Sequence, residues 1–425
     1  MTKVMVTEAY LTEIGDALRS KLSVQRSFAP SEMAAAILSI RGSTAESHET
    51  EIIERTILGT YSNSALRRVG NYAFAECSRM TEVRLPKCAA IGTAAFDNCA
   101  RLMLASFPEC ESIGEYAFRS CKKLKSVNFP MCFEIGAQAF LDCAGLTQAI
   151  FPECGTVGES AFASCADLQS ISFPYVETIN SYTFQRCGSL EEADFPQVQQ
   201  INMAAFQSCY ALKTISFPEC RMIGMSAFAS CRSLSYADFP KCSYISNSAF
   251  YGCTELSEIS FPACETVAGS AFATCSKLRE AHFPICSVVA ASAFGSCGLT
   301  VADFPECTQI YSYAFYSCSY LTELNFPAVI SIYSYAFVGC GMSVASFPNL
   351  RYISGGAFTL CTKLVSLYLL GSNMVTLTSS AFVSTPLMQY SYTGDYGSIY
   401  VPASLYSSYI KAAYWSVMSS RFVSV

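Results

Sequence analysis

The chain has 425 residues and a formal net charge of −6, with 27 Lys and Arg against 33 Asp and Glu. The basic residues form no dense tract, which disfavours a nucleic-acid-binding surface. Hydrophobic residues make up 52% of the chain and charged residues 14%, a balance that excludes a disordered protein. No run of about 18 apolar residues occurs, so no membrane span is predicted.

The first 72 residues predict two short helices, a linker and an incomplete coil. Apolar residues recur at three- and four-residue steps, which predicts a helical hairpin over residues 1–42. Two short helices bury little surface, so the hairpin is expected to dock on a partner or on a second copy of itself, with a plain folded appendage as the alternative. Residues 43–50 are polar and predict a linker. Residues 51–72 predict a capping coil, because an uncapped stack exposes apolar surface and a free strand edge.

From residue 73 to residue 382 the chain repeats one phrase about every 22 residues. The clearest copy runs from Cys121 to Phe140 and serves to number the repeat, with Cys121 at position 1 and Phe140 at position 20. Such a period is typical of a solenoid, in which each coil buries its apolar side against its neighbours. Phenylalanine holds position 20 throughout, as Phe74, Phe96, Phe118, Phe140, Phe162, Phe184, Phe206, Phe228, Phe250, Phe272, Phe294, Phe315, Phe337, Phe358 and Phe382.

Within each coil the pattern predicts one short strand and a corner. Positions 7 and 9 are apolar and share one face of the strand, while positions 6 and 8 face away from the core. Proline at position 10 ends the strand, because it has no N–H for a ladder. Glycine often occupies position 16 and marks a corner, but Asn180 and Tyr311 also stand there, so a positive φ is not required. The Ala-Phe pair at positions 19 and 20 predicts a short helical or 3₁₀ turn that places an aromatic ring in each coil.

The phrase Cys-x-x-Leu-x-x-Ile-x-Phe-Pro-x-x-x-x-Ile-Gly-x-x-Ala-Phe resembles the BspA-type leucine-rich repeat, also called the Treponema pallidum type. The match covers about three quarters of the chain, which departs from the family in its 22-residue coils and in the cysteine at position 12. The resemblance implies an α/β-type, mainly β solenoid, a right-handed leucine-rich-repeat stack preceded by the helical hairpin. It also implies a bacterial surface protein that binds host matrix proteins or other cells.

Two further features bear on where the protein acts. The amino-terminal hairpin looks like those that precede such repeats in gut Firmicutes and their prophages, which implies a tail-associated role. No signal peptide is visible at the start of the sequence. The expected location is therefore cytoplasmic until release or display on a phage-like particle, or the cell surface by a non-classical route.

Residues 383–425 are expected to form a carboxyl-terminal cap. Ser398 to Pro402 predict a last strand that ends in proline. Ala403 to Val417 predict an amphipathic helix, which would close the far end of the stack. Trp415, the only tryptophan, is expected to cap the core, with a ligand platform as the alternative.

The cysteines and histidines do not predict catalysis. All 23 cysteines lie in the repeat at positions 1 and 12, and no Cys-x-x-Cys pair occurs, so zinc sites and disulfides are disfavoured. Val176 and Val198 replace cysteine at position 12, which indicates a small buried apolar group. His48 and His282 are too few for a hydrolytic triad, and no phosphate-binding loop occurs. The sequence therefore predicts no enzyme, no cofactor and no metal site.

Two exposed surfaces are the candidate ligand-binding sites. Positions 6 and 8 are expected to form a polar, mildly acidic sheet face, named the strand face, and its candidate residues are Glu192, Asp194, Tyr236, Asp238, Glu258, Glu280, His282, Asp303, Glu323 and Asn325. Tyrosine and serine crowd the later turns, as they do in antibody paratopes. The candidate residues of this Tyr-rich edge are Tyr311, Tyr313, Tyr316, Tyr320, Tyr333 and Tyr335, with tolerated surface residues as the alternative explanation.

These patterns favour a non-enzymatic recognition or adhesion protein. Its ligand is expected to be a protein or a glycan, bound through the solenoid face on a bacterial surface or a phage-like particle. The alternative is a structural scaffold or spacer that assembles through the hairpin at residues 1–42.

Overall fold

The computed structural model describes residues 59–388 and 396–425. The predicted hairpin at 1–42, the linker at 43–50 and residues 51–58 of the capping coil lie outside the described residues, as does His48. The described chain is a mainly β solenoid of about 16 turns, with coils of about 22 residues and one small α-helix near the carboxyl end. Each repeat coil contributes one strand near positions 6–8 and one at positions 14–15.

The elements are short and numerous. In chain order the first 16 strands are β1 (Gly59–Ser62), β2 (Arg68–Val69), β3 (Met80–Arg84), β4 (Ala90–Ile91), β5 (Leu104–Ser106), β6 (Ser112–Ile113), β7 (Ser126–Asn128), β8 (Glu134–Ile135), β9 (Gln148–Ile150), β10 (Thr156–Val157), β11 (Ser170–Ser172), β12 (Thr178–Ile179), β13 (Glu192–Asp194), β14 (Gln200–Ile201), β15 (Thr214–Ser216) and β16 (Met222–Ile223). The next 15 are β17 (Tyr236–Asp238), β18 (Tyr244–Ile245), β19 (Glu258–Ser260), β20 (Thr266–Val267), β21 (Glu280–His282), β22 (Val288–Val289), β23 (Val301–Asp303), β24 (Gln309–Ile310), β25 (Glu323–Asn325), β26 (Ser331–Ile332), β27 (Val344–Ser346), β28 (Tyr352–Ile353), β29 (Ser366–Tyr368), β30 (Thr376–Leu377) and β31 (Ser398–Val401). The chain ends with α1 (Ala403–Tyr409), a 3₁₀ segment (Ser416–Arg421) and β32 (Phe422–Ser424).

The strands form two parallel sheets that run along the stack. The odd-numbered strands and β32 make the first sheet, in ladders from β1 to β13, β15 to β19, β21 to β25 and β27 to β32. Equivalent positions pair in register, so that Val127 lies opposite Ala149 of the next coil. The remaining even-numbered strands make the second sheet. It consists of a ladder of five strands and a ladder of ten, with an interruption between β10 and β12. The sequence did not predict this second sheet.

The core lies between the two sheets and the turns that join them. Leu124, Phe129, Ile135 and Phe140 of one coil are each at most 1% exposed, which confirms that positions 7 and 9 face inward while 6 and 8 face out. The position-20 rings stack from coil to coil, with 5.2 Å between the centroids of Phe118 and Phe140. The position-9 rings meet them edge-on, as Phe129 meets Phe140. Truncating one such ring to alanine should cost about 3–5 kcal/mol.

The Ala-Phe segment is a run of tight turns, so the predicted helical turn is wrong. Tyr116 and Ser120 have φ values of 58° and 59°, which a right-handed helix does not contain. The N–H of Phe118 donates to the Ala139 carbonyl of the next coil at 2.7 Å. A helix satisfies its N–H groups internally, whereas these turns use alternate N–H groups, those of Tyr116, Phe118 and Ser120, to make a third ladder between coils.

Glycine at position 16 serves close packing between coils. A Cβ on Gly136 would lie 2.6 Å from the Glu115 nitrogen and 2.7 Å from the Gly114 carbonyl carbon. Gly136 does not have a positive φ, which confirms that the corner does not require one. Glycine holds this position in five successive coils, from Gly70 to Gly158.

The second sheet is interrupted where this run of glycines ends. Asn180 occupies position 16 and donates from Nδ2 to the Val157 carbonyl at 2.8 Å, across the gap between β10 and β12. Thr183 replaces the usual alanine of position 19, is fully buried, and donates to the Asn180 carbonyl. The Phe162 and Phe184 ring centroids are 5.7 Å apart at this junction, which we name the seam.

The carboxyl-terminal helix is shorter than expected. It ends at Tyr409 instead of Val417, and Tyr414 has a φ of 62° that a helix does not allow. This break lets the chain fold back, so that Trp415 is only 1% exposed and donates from Nε1 to the Val375 carbonyl. The ring of Trp415 therefore belongs to the core and has no free face for a ligand.

Candidate binding surfaces

All ten candidate residues of the strand face lie on the outer side of the first sheet. Eight are exposed, and Asp238 and Asp303 are half-buried. The register aligns them in columns, with Tyr236 opposite Glu258 in one ladder. They do not form one continuous ladder, because β13, the pair β17 and β19, and the trio β21, β23 and β25 belong to three ladders.

The strand face is acidic along most of its length. Positions 6 and 8 between residues 192 and 325 contain seven carboxylates and one basic group, His282. Serines of neighbouring coils support some of these carboxylates, since Ser172 donates to Asp194 at 2.9 Å and Ser216 to Asp238 at 3.2 Å. Aligned charges of one sign on a single face create a field that attracts cations from solution.

His282 is the centre of a small polar network on this face. Its Nδ1 lies 3.2 Å from Asp303 Oδ2, and its Nε2 lies 3.1 Å from Glu280 Oε2. Asn325 donates to the other oxygen of Asp303 at 2.6 Å. The sequence placed His282 at the surface but did not predict these bonds.

The neighbouring carboxylates favour the charged imidazolium. Asp303, through its hydrogen bond, and Glu280 raise the pKa of His282 above its ordinary value. The network is open to solvent, and no nucleophile belongs to it, so it can hold a proton and bind cations or hydrogen-bond donors. In the part of the chain that the structure describes, no group of three His, Cys, Asp or Glu side chains is placed to hold a metal ion.

The Tyr-rich edge is an ordered cluster of rings. Tyr311 stacks on Tyr333 of the next coil with 4.8 Å between ring centroids, and Tyr313 stacks on Tyr335 at 5.1 Å. Tyr316 meets Tyr313 edge-on at 6.3 Å. Tyrosines at positions 16 and 18 of two successive coils thus form two parallel stacks.

Tyr320 does not belong to this cluster. It is exposed near the first sheet, where the Arg279 guanidinium lies 5.6 Å from its ring centroid. The structure therefore divides the predicted edge into five clustered tyrosines and one that makes a separate cation–π contact.

The sequence missed the residues that support the tyrosines. A Cβ on Gly356 would lie 2.4 Å from a ring carbon of Tyr335, and one on Gly295 would lie 2.9 Å from the ring of Tyr316. These glycines therefore leave the space that the two rings occupy. Tyr352 also joins the cluster, 5.9 Å from Tyr333.

The sequence also did not predict a shallow groove near the amino end of the stack. The groove has a volume of about 550 Å³. The position-16 glycines of four coils form its floor, and Arg68, Asn71, Glu115 and Glu134 are among its lining residues. The run of glycines was the available signal, because it removes side chains along one line of the surface.

The 23 cysteines are all buried, as the interpretation of a small apolar side chain predicts. At position 1 the thiol also bonds to the adjacent coil, as when Cys231 Sγ donates to the Phe206 carbonyl at 3.1 Å. At position 12 the bond is local and longer, as from Cys242 Sγ to the Tyr244 carbonyl at 3.4 Å. Burial raises the pKa of Cys231 to about 12, so the thiol stays protonated and unreactive.

The chain is similar to several known structures at low sequence identity. A leucine-rich repeat protein of Bacteroides ovatus ATCC 8483 is 21% identical over 77% of this chain and 88% of its own, with a TM-score of 0.46. A leucine-rich cell surface protein of Faecalibacterium prausnitzii A2-165 is 18% identical over 85% and 90%, with a TM-score of 0.42. The pneumococcal vaccine antigen PcpA is 16% identical over 88% and 83%, with a TM-score of 0.40. None of the curated proteins matches the chain.

In the described residues, no helix is long and apolar enough to cross a membrane.

The sequence profile of the BspA type leucine-rich repeat region matches residues 60–169, 177–300 and 287–410, which is most of the chain. The repeat that the sequence suggested is thus present over the whole solenoid. The chain belongs to the BspA-type leucine-rich repeat family.

Proposed function

We propose that this protein is a non-enzymatic recognition or adhesion protein that binds a protein partner through its strand face. One observation carries the proposal: the strand face holds seven carboxylates that point away from the core, and five of them are exposed. Leucine-rich repeat proteins generally bind other proteins, which supports the same function. Display on a bacterial surface or a phage-like particle is part of the proposal.

The charge of the strand face defines the partner. A surface rich in Lys and Arg would complement the carboxylates of β17 to β25, and such complementarity mainly increases the association rate and the specificity. Exposed carboxylates of this kind are screened by salt, so the affinity for the partner should fall as ionic strength rises. The polar network around His282 would add hydrogen bonds of fixed direction at the centre of the contact.

A binding screen with one matched variant tests this function. The full chain is presented to a panel of purified cell-surface and extracellular proteins and to a glycan array, and binders are measured by biolayer interferometry. The variant carries Glu192→Gln, Asp194→Asn, Asp238→Asn, Glu258→Gln, Glu280→Gln, Asp303→Asn and Glu323→Gln. We expect a protein binder whose affinity falls roughly ten-fold or more in the variant, on the scale of several surface charge contacts.

Two results would argue against it. Equal binding to wild type and variant would show that the carboxylates do not form the site. If no ligand emerges while the isolated segment 1–42 drives assembly, the structural scaffold becomes the better explanation.

A further inference from the structure

The four stacked tyrosines pack face to face in two pairs. Tyr311 and Tyr333 lie with 15° between their ring planes, and Tyr313 and Tyr335 with 13°. Gly356 of the following coil lies close to the Tyr335 ring, since a Cβ there would be 2.4 Å from a ring carbon. On Tyr333 the neighbouring ring of Tyr352 is tilted by 56° on the other side. Each pair thus joins two successive coils.

The stacked rings are still partly exposed to solvent. Tyr311, Tyr313 and Tyr335 are 38%, 43% and 41% exposed, and Tyr333 is half-buried. Among the described residues, none of the four hydroxyl groups has a hydrogen-bond partner. By contrast, the buried hydroxyl of Tyr409 accepts from the Val375 N–H at 2.8 Å. Four hydroxyl groups of fixed position are thus available to a ligand.

The chain segments that carry the rings contain no charged residue. Residues 307–320, 326–343 and 352–362, which form the second sheet and turns of three successive coils, contain no Asp, Glu, Lys, Arg or His. This part of the surface consists of tyrosine, serine, threonine and glycine beside small apolar residues. Its chemistry differs from that of the acidic strand face, and salt would not screen contacts made here.

We propose that Tyr311, Tyr313, Tyr333 and Tyr335, named the tyrosine surface, are a second contact surface for a protein partner. They contact an uncharged part of the partner through hydroxyl hydrogen bonds and ring edges. This inference rests on the proposed function and adds to it the chemistry of a salt-insensitive contact. The stacking holds each ring in place before binding, which lowers the entropy cost of the contact.

The same geometry disfavours a sugar platform. A sugar ring packs its C–H groups against an open aromatic face, where the ring quadrupole is negative. Stacking covers one such face on each of the four rings, since Tyr311 packs on Tyr333 and Tyr313 packs on Tyr335. Peptide groups, by contrast, can pair with the exposed hydroxyl groups and lie across the ring edges.

The test removes the hydroxyl groups and keeps the rings. A phage-displayed library of random linear peptides is selected on the full chain in high salt, which suppresses binding to the strand face. Selected peptides are then measured on a variant with Tyr311→Phe, Tyr313→Phe, Tyr333→Phe and Tyr335→Phe. We expect a roughly ten-fold or greater loss of affinity, from several hydrogen bonds of about 0.5–1.5 kcal/mol each.

Matched controls separate this loss from a general effect. Tyr116 and Tyr182 also occupy position 18, and neither has a tyrosine stacked on it from the next coil. The variant with Tyr116→Phe and Tyr182→Phe should bind the peptides as wild type does. Circular dichroism should show unchanged folding for both variants, because phenylalanine keeps an aromatic ring at each position.

Three results would overturn the inference. Peptides that bind the four-fold Phe variant at full affinity would exclude the hydroxyl contacts. A glycan that binds wild type and the Phe variant equally, but not the corresponding Tyr→Ser variant, would identify a sugar platform. Failure to select any peptide in high salt would also contradict it. The proposed function is tested separately. If a protein partner loses affinity for the strand-face variant but not for the four-fold Phe variant, the proposed function holds and only the tyrosine surface is excluded.

Discussion

Glycine at position 16 packs closely against the backbone of the adjacent coil. We predict that Gly136→Ala destabilises the protein by about 1–3 kcal/mol, because the new Cβ would overlap backbone atoms of the coil before it. Gly155→Ala is the matched control. A Cβ there meets nothing within 4 Å and the φ is not positive, so we expect about 0.4–1 kcal/mol of stabilisation from the unfolded state. Urea unfolding of both variants measures the difference, and equal effects would refute the packing argument.

The two cysteine positions differ in what their thiols bond to. Cys231→Val removes the hydrogen bond to Phe206 in the adjacent coil, and we predict a loss of about 0.5–1.5 kcal/mol. Cys242→Val should cost less, because valine or leucine replaces cysteine at position 12 in four coils. Thermal unfolding of both variants under reducing conditions tests this order. A larger loss for Cys242→Val would contradict the role assigned to the position-1 thiol.

His282 gives a prediction that depends on pH. Since Asp303 raises its pKa, the imidazolium stabilises the fold below the ordinary histidine pKa of about 6.5, and this contribution is lost as pH rises through the raised value. NMR titration of the imidazole should show a midpoint above about 6.5. Asp303→Asn should lower that midpoint, and His282→Gln assigns the signal. A midpoint that Asp303→Asn leaves unchanged would show that the hydrogen bond does not form in solution.

At the scale of elements, the first strand of each coil was predictable and the second was not. Alternation at positions 6 to 9 predicts an inward and an outward face, and the structure has both. The second strand is two residues long, too short for alternation, and it exists because Ile135 pairs in register with Ile113. The Ala-Phe turn was misassigned because every second N–H group in it bonds to the next coil, a contact between distant residues.

The candidate sites show the same division. The outward direction of Glu192 or Glu280 follows from the repeat position alone. The two tyrosine stacks follow from the 22-residue spacing of Tyr311 and Tyr333, once successive coils are known to lie in register. The space that Gly356 leaves for a ring is a detail of packing that no spacing predicts.

At the scale of the whole molecule, each coil contacts mainly its neighbours, and we expect the stack to separate first at the seam, where the second sheet is interrupted. Trp415 is the only tryptophan and lies in the carboxyl-terminal core, so its fluorescence reports that end alone. We predict that urea unfolding followed by Trp415 fluorescence and by far-ultraviolet circular dichroism gives different midpoints, because the stack separates at the seam. Asn180→Ala, which removes the bond to Val157, should widen the difference. Superimposable curves would show that the seam does not divide the stack.

The strand face is the surface that we propose binds a protein partner. Carboxyl footprinting by mass spectrometry tests it most directly, with the partner from the binding screen present or absent. We predict that labelling of Glu258, Glu280 and Glu323 falls when the partner is bound, while the exposed Glu109 and Glu153, at position 11 of their coils, label as before. Unchanged labelling of the three strand-face carboxylates in the bound state would show that the partner does not bind on the strand face.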